Sequence, residues 1–67
     1  MLLLINHIYC IIDICAENID RFHNLGLHAN TLVKIKHIQG LKGPIVIETG
    51  GRLIALRKRE FECLTLQ

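Results

Sequence analysis

The chain has 67 residues and a formal net charge of +2, which makes a single domain, 1–67, and a marginal one, since a domain this small buries only about 60% of the surface its unfolded chain exposes. That leaves little room for a deep catalytic cavity, so a stand-alone enzyme is disfavoured before any motif is read. Hydrophobic residues make up 51% of the chain, but the only aromatics are Tyr9, Phe22 and Phe61, so the core is expected to be aliphatic and, with its many isoleucines, rich in strand.

The opening MLLLI has no basic flank and no small-residue cleavage site, and Asn6, His7 and Asp13 interrupt the apolar stretch. It reads as neither a secretory leader nor a membrane span. From His7 to Ile14 the sequence HIYCIIDI predicts a half-buried strand, with Ile8, Cys10, Ile12 and Ile14 on the core face and His7, Tyr9 and Asp13 on the other. Next, ENIDRFHNLGL spaces Ile19, Phe22 and Leu25 along one stripe of a short helix. Asn18 is its expected N-cap and Gly26 its left-handed stop.

After the turn His28-Ala29-Asn30, where Asn30 can take a positive φ, TLVKIKHI predicts a strand with Val33 and Ile35 inward and Lys34 and Lys36 outward. Gly40, Gly43 and Pro44 shape the loop into the next strand, with Pro44 at a strand start that tolerates a missing N–H. Gly50-Gly51 then separates PIVIET from RLIALR. A two-residue hairpin turn needs positive φ, which glycine supplies. That turn fixes the register: Thr49 opposite Arg52, Ile47 opposite Ile54, Ile45 opposite Leu56. The tail REFECLTLQ offers a short turn and a last strand carrying Leu64 and Leu66. The sum is an all-β fold, a small barrel of about five antiparallel strands with one short helix.

The chemical motifs are thin. Gly40-Leu-Lys-Gly43 matches the GxxG clamp of KH domains, but here it joins strands rather than helices. Seven His and Cys side chains are spread along the chain, with no CxxC or HxxxH spacing, so no metal site and no cofactor is expected. There is no serine, and Cys10 and Cys63 read as core thiols, so no enzymatic role is expected. Three cysteines cannot all pair within one chain, which fits reduced thiols in a cytoplasmic protein. Residues 34–67 carry seven basic and three acidic side chains. Such a face suits a nucleic acid, lipid headgroups or an acidic protein surface, or is simply solvated. Single-stranded nucleic acid calls for exposed stacking aromatics, and Tyr9 alone reads as exposed.

Three segments, taken in order, carry a resemblance. Arg21-Phe22-x-x-Leu25-Gly26-Leu27 resembles the RL-x-x-LGL segment of the FeoA family, the small ferrous iron transport proteins A. Leu41-x-Gly43-Pro44-Ile45 is similar to that family's L-x-GP and following strand, and Leu56-Arg57-x-x-Glu60 with Leu64 and Leu66 to its closing LR-x-x-E…I-x-V. Ala29-Asn30 stands where the family usually has Pro-Gly, and Asn6 about where it has an early glycine. The resemblance implies an SH3-like β-barrel in the cytoplasm. It also implies a non-enzymatic accessory role beside FeoB, the membrane transporter with a GTP-binding domain, met on its cytosolic side without membrane insertion. The rival readings are a detached SH3-like domain of a metal-dependent regulator such as DtxR, although no helix-turn-helix segment is present, or a small nucleic-acid-binding barrel.

On the adaptor reading no nucleic acid is bound, and a homo-oligomer is left open. Docking falls to Leu25, Gly26, Leu27 and His28, with a second basic edge of Arg52, Arg57 and Lys58. Leu27 is the sharpest candidate: an apolar residue just past a helix stop can anchor in a partner's pocket, or it can pack back on its own helix. In the first case Leu27→Arg spares the fold; in the second it destroys it.

Overall fold

The computed structural model describes residues 4–41 and 43–67. Met1–Leu3, at the start of the MLLLI segment, and Lys42, inside the Gly40–Gly43 loop, lie outside these. The strands are β1 (Ile8–Ile14), β2 (Leu32–Ile38), β3 (Ile45–Thr49), β4 (Arg52–Leu56) and β5 (Leu64–Leu66). Between them lie α1 (Ile19–Asn24), preceded by a 3₁₀ turn at Ala16–Asn18, and α2 (Lys58–Phe61). All pairings are antiparallel, in one sheet of order β4-β3-β2-β1-β5. The expected all-β architecture is therefore present, with a second helical turn, α2, linking the two outermost strands and packing on β4.

The hairpin is the most regular part. Gly50 and Gly51 sit at φ 55° and 76°, and the pairs Thr49–Arg52, Ile47–Ile54 and Ile45–Leu56 fall in the expected register. Ile45, Ile47, Ile54 and Leu56 are all buried. Fully burying one such side chain contributes about 1.5–3 kcal/mol, so a one-residue slip would forfeit four of these terms at once. Val33 and Ile35 of β2 continue the same core face. Gly43 lies close against the end of β2: a Cβ on it would overlap the Gln39 carbonyl, and Gln39 N–H donates to the Pro44 carbonyl at 3.2 Å.

β1 departs from expectation in its facing. Ile11 is fully buried and Tyr9 packs on the core, while Ile8 is 61% and Ile12 45% exposed and Cys10 is only half-buried. The reason lies in the ladders. β1 pairs with β2 over Ile8–Cys10 and with β5 from Ile11 onward, and a bulge between Ile11 and Asp13 shifts the parity. An inserted residue turns the alternation over locally, which brings Ile14 back inside as expected while Ile12 stays out. Tyr9 is accordingly no stacking platform; its hydroxyl accepts the Leu4 N–H at 3.1 Å.

Candidate functional site

Two regions gather the polar and reactive side chains. The first is the end of α1. Phe22 alone of the expected stripe is fully buried; Leu25 is half-buried and Ile19 is 37% exposed. The helix closes with Gly26 at φ 84°. Gly26 N–H donates to the His23 carbonyl at 3.0 Å, and Leu27 N–H to the Phe22 carbonyl at 2.9 Å. These two bonds are the Schellman pattern, in which the residue past the glycine packs back on the helix's last turn. Leu27 is indeed 0% exposed, as is Phe22.

Leu27 is therefore not a surface anchor: of its two readings the structure shows the second, packing back on its own helix, with the side chain in the core and the backbone bonds of the cap turning it inward. Leu25 and Gly26 are half-buried beside it, and His28 is exposed, its ring centroid 4.4 Å from that of His23.

The structure joins one member of the second candidate group to this turn. Arg52 shares parity with Ile54 and Leu56, so its side chain leaves the core face at the rim. There Nη2 donates to the Leu25 carbonyl at 2.9 Å and lies where a Cβ of Gly26 would be. A cation on the last carbonyls of a helix is favourably placed. Arg57 and Lys58 do not join it. Arg57 lies past the other end of β4, with the opposite parity, and starts α2; Lys58 Nζ donates to the Leu41 carbonyl at 3.1 Å. The expected single basic edge is thus two separate places, because Arg52 opens β4 at one end while Arg57 and Lys58 follow its other end.

α1 and α2 are tied by Glu60. One oxygen of its carboxylate accepts the Arg57 N–H at 3.0 Å, and the other pairs with Arg21 Nε at 2.6 Å.

The second region is the corner where β1 ends and β5 begins. Ile14 pairs with Leu64, so Cys15 and Cys63 come next, opposite one another, with Cys15 N–H donating to the Cys63 carbonyl at 3.0 Å. The 3₁₀ turn that follows brings Glu17 back over Cys15. The two Sγ atoms and a Glu17 carboxylate oxygen lie within 4.8 Å of one another. Contrary to the expectation from sequence, Asn18 holds the N-cap position of α1 without a side-chain cap; its Nδ2 donates instead to Cys63 Sγ at 3.1 Å. The hydrogen bond with Cys63 pushes the Cys15 thiol pKa up, helped by desolvation and by the negative charge of Cys63 and Glu17.

Cys63 is thus a half-buried thiol at a surface groove that Glu17, Asn18, Arg59 and Glu62 also line. Sequence spacing gave no sign of this grouping, since its members come from opposite ends of the chain. The available signal was the alternation of Leu64 and Leu66, which sets Cys63 at the mouth of β5.

A family model described as the FeoA domain matches residues 3–67. The chain belongs to the FeoA family. It is similar to the solution structure of iron(II) transport protein A from Clostridium thermocellum, at 25% identity and TM-score 0.86 over 97% of this chain and 41% of that one, so it spans less than half of that protein's length. It is also similar to the solution structure of protein PA4359 from Pseudomonas aeruginosa, at 26% identity and TM-score 0.75, covering 96% of this chain and 91% of that one. None of the curated proteins matches the chain.

Two of the FeoA-like sequence segments now have a physical link, because Arg21 of the first and Glu60 of the last form the one ion pair between α1 and α2. At the two points of departure, Asn30 and Asn6 take φ 71° and 67°, the left-handed backbone that asparagine tolerates better than other non-glycine residues. No helix among the described residues is long and apolar enough to cross a membrane.

Proposed function

We propose that this chain is a non-enzymatic accessory of ferrous iron uptake, acting in the cytoplasm by contact with the GTP-binding domain of an FeoB-like transporter. The FeoA-domain match across residues 3–67 carries this reading, and likeness to an iron(II) transport protein A supports it. The contact surface is the α1–β4 rim: exposed His28 and Arg52, set on the half-buried Leu25-Gly26 turn. Leu27 serves it from beneath, by fixing the turn. A preorganised rim loses little conformational freedom on binding, and its charge suits an acidic partner patch.

The test is retention of the transporter's purified cytosolic domain on immobilised chain, with and without guanine nucleotide. Wild type should retain it. Arg52→Glu should weaken retention at least about tenfold through charge reversal at the contact, with an unchanged circular dichroism spectrum. Equal retention by Arg52→Glu would remove the rim from the proposal, and no retention under any nucleotide condition would remove the partner.

A further inference from the structure

Cys15, Glu17 and Cys63 offer two sulfurs and a carboxylate oxygen that converge on one point at the surface. Two sulfurs bound to one zinc at about 2.3 Å each lie roughly 4 Å apart, so the observed spacing needs little closing. Their backbone is held before any ion arrives: Cys15 N–H bonds the Cys63 carbonyl at 3.0 Å, and Asn18 N–H bonds the Cys15 carbonyl at 3.1 Å. The Asn18 side chain adds an outer support, because its Nδ2 donates to Cys63 Sγ, the kind of bond that orients a metal-bound sulfur.

We infer that Cys15, Glu17 and Cys63 form an exchangeable site for a borderline-soft divalent cation of the zinc and ferrous class. Two thiolates select such ions over magnesium, calcium or manganese. The fourth coordination position opens onto the groove lined by Asn18, Arg59 and Glu62, so the site is three-ligand and open rather than closed and structural. The β1–β5 ladder and the buried core surround this corner without calling on the ion, so the chain folds with the site empty. Arg59 offsets part of the negative charge of two thiolates and Glu17, while Glu62 adds to it.

Binding must displace any thiol protons still held, so affinity falls in acid. This site is independent of any contact with a transporter.

The test uses the reduced full chain under anaerobic conditions with Co²⁺ as the probe. One equivalent should produce a sulfur-to-cobalt charge-transfer band that strengthens as pH is raised and is bleached by Zn²⁺. Cys15→Ser and Cys63→Ser should each abolish tight binding. Asn18→Ala should weaken it about tenfold as an outer-shell change. Cys10→Ser should leave it unaltered, since the Cys10 sulfur faces the Ile11 carbonyl instead.

Because the serine variants risk misfolding, alkylation of the wild-type chain supplies a second readout. Zn²⁺ should protect Cys15 and Cys63 and leave Cys10 reactive. Absence of the charge-transfer band at mildly alkaline pH, or equal alkylation of all three thiols with and without Zn²⁺, overturns the inference.

Discussion

At the α1–β4 rim, the polar groups of the turn are engaged by the fold itself: the Gly26 and Leu27 N–H groups close the helix, and Arg52 takes the Leu25 carbonyl. At the Cys15–Cys63 corner the backbone is equally well held, but the side chains meet mostly one another, two thiols and a carboxylate with one amide donor. The first arrangement makes a stiff surface of fixed shape; the second leaves ligand atoms available. The lesson is that burial, rather than residue type, separates framework from function here. Leu27 was open to both readings and is framework, whereas Cys63, read as a core thiol, packs against the core and also stands at a groove.

The comparison breaks most sharply at Leu27. Leu27→Arg places a charge at a fully buried site and should cost at least about 4 kcal/mol. For a domain of this size that leaves no cooperative thermal transition; a normal melt would return Leu27 to the surface. Gly43→Ala comes next, because its Cβ would strike the Gln39 backbone carbonyl rather than a movable side chain. A loss of about 2–3 kcal/mol is expected from that strain, read as a lowered urea midpoint.

Gly26→Ala should cost about 1–2 kcal/mol for the left-handed backbone, and less for steric conflict, since the Arg52 guanidinium can swing aside. That swing should also weaken partner binding, so the variant sharpens the link between cap and rim. The smallest effect belongs to Glu60→Gln. Arg21 is 60% exposed, so the ion pair is worth about 1 kcal/mol or less, and high salt should reduce even that.

The hairpin was legible in the sequence because two cues, Gly50-Gly51 and the period-two isoleucines, agree and exclude a slip. The extent of β1 was legible too, but its facing was not, because IYCIIDI is apolar at both parities and nothing in it announces the bulge at Ile11–Asp13. The RF-x-x-LGL segment gave the helix stop at Gly26, yet an apolar residue after such a stop reads the same whether it turns in or out. Arg52 was marked as a candidate, but its bond to the Leu25 carbonyl joins residues 27 apart in the chain, which local spacing does not foretell. The Cys15–Cys63 corner needs knowledge that the last strand returns beside the first, a fact of topology that local spacing does not encode.

The most direct test of the division between rim and corner is an amide chemical-shift map of the isotope-labelled chain, titrated with the transporter's cytosolic domain. Shifts confined to the His23–His28 turn and Arg52, with Cys15–Asn18 and Cys63 unmoved, are the predicted result. Shifts centred on the cysteine corner, or on the exposed Ile8, Leu32 and Leu53 of the outer sheet face, would contradict it.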